Sequence, residues 1–304
     1  MNTALPGPVL ILGLGWSGRV LAARLQALGV PVAGTVRDPT AAPADGLHRF
    51  ALRPDAAPSA ALLEAVAQAQ AVLCSVPPDA NGDPALRVLQ PVLLVSPALR
   101  WVGYLSSTSV YADREGGWVD AHSVADSTEA AGGQRLRAEA QWQALAKERG
   151  IASAMFRLPG LYGPGRNALL QLAQGRARHV VRPGLVFNRL HVEDLAAVVI
   201  AAMQRPTRDG LYLPADDEPA PPQDVLAYAA QLGGFTLPPA VAWDDPAVSP
   251  TLRRFYASNK RIDSRGTREA LGWAPRFATY RQGLEDLAAA LAGHGPALPA
   301  AGVD

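Results

Sequence analysis

The stretch Val9-Leu10-Ile11-Leu12-Gly13-Leu14-Gly15-Trp16-Ser17-Gly18 decides the fold of this chain. Four apolar residues in a row make a short buried strand, and the three glycines after it follow a GxGxxG spacing in which each has its own task. Gly13 permits the tight turn, Gly15 lets a diphosphate approach bare backbone, and Gly18 lets a helix pack close to the strand. The amphipathic run onward to Leu28, stopped by Gly29, is that helix. Its first turn offers free N–H donors and a partial positive charge. Val30 to Val36 is a second apolar, partly β-branched run, and a right-handed crossover sets the two strands side by side in parallel.

Outward from that unit the alternation continues. A helix is expected near Ser59 to Gln70, a strand at Ala71 to Val76 and a helix near Ala85 to Leu94. A strand from Trp101 to Leu105 then runs into Ser106-Ser107-Thr108-Ser109-Val110-Tyr111, followed by a helix over Gly133 to Gly150 and a strand over Ala152 to Arg157. This pattern predicts an α/β fold with a doubly wound parallel sheet, the Rossmann arrangement, over residues 1–158. After Pro159 proline becomes frequent and the alternation loosens. A smaller C-terminal substrate region is expected over 159–292, with some segments returning to the sheet, and a tail over 293–304.

Composition narrows the partner. With 28 Lys+Arg against 27 Asp+Glu, the net charge of +1 gives no electrostatic case for nucleic acid or an anionic membrane. Arg176-Ala-Arg178 and Arg253-Arg254 read as solvated faces. A small-molecule substrate fits better, and 49% hydrophobic residues are ample for a packed core. The single cysteine, Cys74, lies in an apolar run and reads as a buried core residue, and the five histidines show no ligand spacing, so no metal is expected. The opening MNTALPGP lacks the basic start of a signal peptide, and no stretch reaches the length of a membrane span, so a cytoplasmic protein is expected. Monomer and homodimer both stay open.

The glycine stretch is read as a dinucleotide site, with Gly13, Leu14, Gly15, Trp16, Ser17 and Gly18 as cofactor-binding residues. NAD requires an acid at the end of the second strand for the ribose 2′-OH, whereas NADP requires a cation for the 2′-phosphate. Here the strand ends Gly34-Thr35-Val36-Arg37-Asp38 and carries both cues. The planar guanidinium of Arg37 suits phosphate, and the small Thr35 leaves room for it. NADP is therefore preferred, with NAD as the alternative.

Taken together, these segments resemble the extended short-chain dehydrogenases/reductases, the superfamily of NAD-dependent epimerases and dehydratases. Beyond the glycine motif the likeness rests on Ser106 to Tyr111, Phe156 to Arg166 (FRLPGLYGPGR), Arg189 to Ala196 (RLHVEDLA), Gly210 to Pro219, and Asn259 to Ile262 with Ala270 to Pro275. The resemblance implies that Ser107, with Thr108 beside it, polarises a substrate oxygen, a serine turn at the strand end being the competing reading. It places Ser75, Pro77, Ser106, Pro159 and Gly160 against the cofactor. Tyr162, Arg166 and His191 are substrate candidates. His191 has a structural role at a helix start as its competing reading, and Glu193 and Asp194 suit the dipole of that helix.

One element of the resemblance is missing. Members use Tyr-x-x-x-Lys for proton transfer, and alignment on Ala138-Glu139 puts those positions at Ala131 and Arg135. Alanine carries no proton and arginine stays charged, although Arg135 can still hold a ribose hydroxyl. No tyrosine lies between Tyr111 and Tyr162. Tyr256-Ala-Ser-Asn-Lys260 matches the pattern by letter but falls in the C-terminal segment, away from the expected cofactor. Substitute donors are Ser107, Tyr111, His122 and Tyr162, with Ser107 and Tyr111 preferred. The expectation is an oxidoreductase or epimerase/dehydratase-like enzyme acting on a small molecule of nucleotide-sugar-like kind; the alternative is a non-catalytic NADP(H)-binding regulatory or sensor protein.

Overall fold

The computed structural model describes residues 4–293, apart from residues 42 and 44. The chain opens with β1 (Val9–Leu12), α1 (Trp16–Ala27), β2 (Val32–Val36), β3 (His48–Ala51), α2 (Ala60–Gln68), β4 (Ala71–Cys74) and α3 (Pro84–Val95). Next come β5 (Trp101–Ser107), β6 (Trp118–Val119), α4 (Ala130–Arg149), β7 (Ala152–Leu158), β8 (Gly160–Tyr162) and α5 (Ala168–Ala173). The remainder holds β9 (Val180–Val181), β10 (Arg189–His191), α6 (Val192–Gln204), β11 (Gly210–Tyr212) and α7 (Pro222–Gly233). It ends with β12 (Val241–Ala242), α8 (Pro250–Ala257), β13 (Arg261–Ile262), α9 (Arg265–Leu271) and α10 (Tyr280–Gly293).

Seven strands form one parallel sheet in the order β11-β7-β5-β4-β1-β2-β3. The order reverses between β1 and β4, the switch point where such sheets open a ligand crevice beyond their C-terminal ends. Side-chain alternation explains the layers. Val9 and Ile11 join Leu21 and Leu25 of α1 and Val198 and Val199 of α6 in one core. Leu10 and Leu12 join Leu62 of α2, Leu89 of α3 and Trp142 of α4 in the other. A strand buried on both faces must be continuously apolar, and all four residues of β1 are buried. Cys74 is wholly buried and donates to Asp83 Oδ2 at 3.0 Å.

Several boundaries differ from the sequence reading. The second strand starts at Val32, because Val30 N–H still closes the end of α1 on the Leu25 carbonyl at 3.0 Å. α4 begins at Ala130, ahead of the expected start at Gly133, and takes in both Gly132 and Gly133. A Cβ on Gly132 would sit 2.5 Å from the Ser109 carbonyl oxygen, so glycine here lets the helix pack closely against the turn after β5. β3 was not anticipated, since its two outer residues, His48 and Ala51, are exposed at the sheet edge and its pattern is weak. From beyond residue 158, β11 adds the other edge strand by pairing with β7, and α6 covers the sheet beside α1. Three two-stranded parallel pairs, β8 with β10, β9 with β12 and β6 with β13, assemble the rest. The tail read from residue 293 lies, from 294 on, outside the described residues. Among the described residues no helix is long and apolar enough to cross a membrane.

Candidate functional site

The glycine loop is held by its own backbone. Gly13 has φ +84°, and a Cβ there would lie 2.9 Å from Ser75 Oγ and 3.2 Å from the Val76 amide nitrogen. Its N–H donates to Thr35 Oγ1 at 3.0 Å, and Leu14 N–H donates to the Thr35 carbonyl at 2.7 Å. Ser75 Oγ donates to the Gly13 carbonyl at 2.6 Å. A Cβ on Gly18 would sit 3.2 Å from the Gly13 carbonyl oxygen and 3.3 Å from Ile11 Cγ2, which is how α1 packs so close to β1. Gly15 differs: nothing lies within 4 Å of its missing Cβ, and it caps α1 with no side-chain bond to the first turn. Open space beside uncapped helix amides is the cradle a diphosphate requires, so the residues present fit a dinucleotide.

Two of the expected cofactor contacts change role. Leu14 is 3% exposed, with its amide already bonded and its side chain facing Gly34, so it shapes the loop. Ser75 uses its hydroxyl to pin Gly13. Thr35, read as making room for a phosphate, is buried and anchors the same loop. At the end of β2, Arg37 is exposed, while Asp38 Oδ1 accepts from both the Thr40 N–H at 2.9 Å and the Thr40 hydroxyl at 2.6 Å. Pro77 is exposed after β4, and Trp16 and Ser17 are half-buried at the start of α1.

At the end of β5, Ser107 and Thr108 are half-buried, and Ser107 Oγ accepts the Ser109 N–H at 3.1 Å. That bond fixes the oxygen and leaves its proton to donate. Ser106 and Tyr111 depart from expectation. Ser106 is 4% exposed and donates to Glu139 Oε1 at 2.5 Å, so it does not reach a cofactor. Tyr111 is 1% exposed; its hydroxyl donates to the Asp120 carbonyl at 3.0 Å and accepts from Arg157 Nη1 at 2.9 Å. Burial raises its phenol pKa and holds the hydroxyl protonated. It is a locked core residue and a poor proton donor.

Ser106 and Tyr111 belong to a buried network centred on Glu139 of α4 and Arg157 of β7, paired at 2.8 Å. The sequence reading passed over both charges, although an arginine inside the apolar strand Ala152–Leu158 signals a buried partner. Arg135 donates to the Leu105 carbonyl at 2.9 Å and the Tyr104 hydroxyl at 3.2 Å, which sets it at the C-terminal end of β5. Ala131 is exposed on the first turn of α4, and His122 is exposed in the loop before it.

Across the crevice, Pro159 is half-buried, and exposed Gly160 donates to the Asn188 carbonyl at 3.2 Å where β8 meets β10. Tyr162 and His191 are corrections. His191 is 1% exposed, its Nδ1 accepts the Glu193 N–H at 3.3 Å to cap α6, and burial drives its pKa down to about 4. Tyr162 packs edge-on against that ring at 5.1 Å, in the core formed with α10, and burial drives its phenol pKa up. Both side chains are packed in the interior, with the Tyr162 hydroxyl and His191 Nε2 unpartnered there. Asp216, unnoticed in the sequence, is 4% exposed with neither carboxylate oxygen bonded, and burial raises its pKa to about 8. Tyr256 and Lys260 are buried away from the glycine loop, Tyr256 against Val180 and Leu185 and Lys260 donating to Ser258 Oγ at 2.5 Å.

The glycine loop at the switch point of a doubly wound sheet defines the class as a Rossmann dinucleotide-binding protein. No family model matches the sequence. The chain is 30% identical over 305 residues to a 3-diazoavenalumate denitrifying reductase from a Streptomyces species, covering 91% of this chain and 98% of that one. Among solved structures it resembles a conserved protein of unknown function from Silicibacter pomeroyi DSS, at 41% identity and TM-score 0.83, covering 93% of this chain and 99% of that one. It also resembles a Methylobacillus flagellatus protein assigned as an NAD-dependent epimerase/dehydratase, at 27% identity and TM-score 0.71, covering 94% and 99%. The chain belongs to the epimerase/dehydratase-like branch of the short-chain dehydrogenase/reductase superfamily.

Proposed function

We propose that the chain binds NADP(H) on the glycine loop and acts as an NAD(P)-dependent oxidoreductase or epimerase/dehydratase-like enzyme on a small-molecule substrate. The observation that carries this reading is the open face of Gly15 at the uncapped start of α1. Membership of the superfamily and the reductase relative support the oxidoreductase class. The preference for NADP rests on Arg37, an exposed cation at the end of β2, beside an Asp38 drawn into a turn with Thr40. When bound, the nicotinamide supplies a hydride donor or acceptor.

The protein's own part is to hold and polarise. Amides at the start of α1 hold the diphosphate, and Arg135 at the end of β5 orients a ribose hydroxyl. Ser107, its oxygen fixed by the Ser109 amide, donates to a substrate oxygen with Thr108 alongside. The test is uptake of NADPH and NADH by fluorescence, then turnover on a panel of carbonyl compounds and nucleotide sugars. Tighter binding of NADH overturns the cofactor preference. Ser107→Ala should lower turnover about 100-fold with the cofactor still bound.

A second reading, a non-catalytic NADP(H) sensor, is favoured by the exposed Ala131 where the superfamily has its acid and by the locked Tyr111. Cofactor binding without oxidation on any member of the panel selects it.

A further inference from the structure

The turn after β8 is built rigidly and leans on the cofactor loop. Gly163 and Arg166 exchange backbone bonds, N–H to carbonyl at 2.9 Å one way and 3.0 Å the other. Asn167 Nδ2 donates to the Gly163 carbonyl at 2.9 Å, while Asn167 Oδ1 accepts the Leu170 N–H to cap α5. Trp16, the residue after Gly15, donates its indole N–H to the Pro164 carbonyl at 2.8 Å. A Cβ on Gly163 would lie 2.6 Å from Val192 Cγ1 and 3.3 Å from His191 Nε2, so glycine lets the turn pack this close to the start of α6, with Trp16 Cζ2 in ordinary contact at 3.5 Å. The Arg166 guanidinium sits 5.1 Å from the centre of the indole. Arg166 is exposed and takes part in none of the ion pairs among the described residues.

We infer that Arg166, held on Trp16, is a clamp for the diphosphate of the dinucleotide, so that the C-terminal region supplies the cation while the glycine loop supplies the amides. This rests on the dinucleotide reading of the glycine loop. A planar guanidinium pairs two phosphate oxygens at once. Stacking on an indole restricts its conformations beforehand, which reduces the entropy lost on binding. The indole bond to Pro164 makes Trp16 the positioning residue, since it fixes both the ring and the turn that carries Arg166. The clamp belongs to the diphosphate, which NAD and NADP share, and therefore does not depend on the choice between them.

Calorimetric titration of the intact protein with NADP+, NAD+, ADP-ribose and 2′-AMP tests it. In Arg166→Gln, affinity for the first three should fall about tenfold or more, with a shallower salt dependence, while 2′-AMP, which has no diphosphate, binds as before. Arg166→Lys should recover part of the loss, since it restores the charge without the fork. Trp16→Phe keeps a ring face but loses the bond to Pro164, and should weaken the same three ligands by a smaller factor. Unchanged dinucleotide affinity in Arg166→Gln overturns the clamp alone. A loss that falls equally on 2′-AMP also overturns it, since the defect is then not at the diphosphate. Wild-type protein that takes up none of the four overturns both the clamp and the reading beneath it.

Discussion

The β1–α1 loop and the β5–α4 region lie at the same end of the sheet, and they are maintained by different means. At the loop the working parts are backbone: the φ of Gly13, the open side of Gly15 and the close approach of Gly18. In the β5–α4 region the superfamily's work depends on side chains, and here those positions hold Ala131 and Arg135. The neighbouring polar groups, Ser106 and Tyr111, have been drawn into the Glu139–Arg157 network. A backbone site survives sequence change while its glycines do, whereas a side-chain site can be converted into scaffold without altering the fold.

The largest effect that tests this contrast is expected in the network. Glu139→Ala leaves Arg157, buried to 7% exposure, without its partner, and should cost about 3–5 kcal/mol in urea denaturation. A cost below about 1 kcal/mol, the range of a surface pair, would mean that the network does not hold the β5–α4 region together. Next in size is Gly13→Ala. A residue with a Cβ at φ +84° pays about 1–2 kcal/mol in backbone conformation, and this Cβ also meets Ser75 Oγ at 2.9 Å. Dinucleotide binding should be lost from calorimetry while far-UV circular dichroism stays native. Retained affinity would remove the backbone argument for the loop.

The same contrast explains what was readable in the sequence. The strand-loop-helix unit was legible because glycine spacing and apolar runs report backbone geometry directly. So was most of the sheet, since β1 and β4 are unbroken apolar runs and β5 and β7 are largely apolar and buried along nearly their whole length. β3 was not, because an edge strand with exposed ends lacks that pattern. In the site, Tyr111, Tyr162 and His191 carry the right atoms at the right end of the sheet. Only packing shows that the first is bonded on both sides and the other two face α10 and the start of α6. The roles of Glu139 and Arg157 depend on each other across 18 residues, and the raised pKa of Asp216 on burial, which no local sequence pattern reports.

A smaller effect separates buried titratable groups from the solvated ones of the crevice. Asp216 keeps its proton in the fold up to about pH 8, whereas an unfolded carboxyl loses it near 3.8. Its contribution to stability is complete below about pH 4 and declines as pH rises to 8. His191 works in the opposite sense: its folded pKa near 4 lies below the ordinary 6.5, so stability increases with pH between those values. Each slope is at most about 1.4 kcal/mol per pH unit. The two offset one another from about pH 4 to 6.5, which leaves a net decline of about 2 kcal/mol between 6.5 and 8. Denaturation of Asp216→Asn across this range should show the His191 rise unmasked below pH 6.5 and a level profile above it. A variant that keeps the wild-type decline above 6.5 would assign it to another group.

The smallest effect is expected where the letters match best. Tyr256-Ala-Ser-Asn-Lys260 has the spacing of a proton-transfer pair, yet its surroundings are those of a structural strut. Tyr256 packs edge-on against Phe187 at 5.3 Å, and Asn259 accepts from the Arg114 and Gly116 amides at 3.0 Å while its own N–H donates to Asp113 Oδ1 at 2.6 Å. Burial raises the tyrosine pKa and lowers the lysine pKa, and the lysine ammonium is bonded to Ser258. A catalytic tyrosine needs the reverse, a lowered pKa and a cationic neighbour facing the cofactor. Tyr256→Phe should therefore leave dinucleotide affinity and turnover unchanged. A loss of turnover with an unaltered melting curve would move the reacting centre from the β5–α4 region to the C-terminal segment.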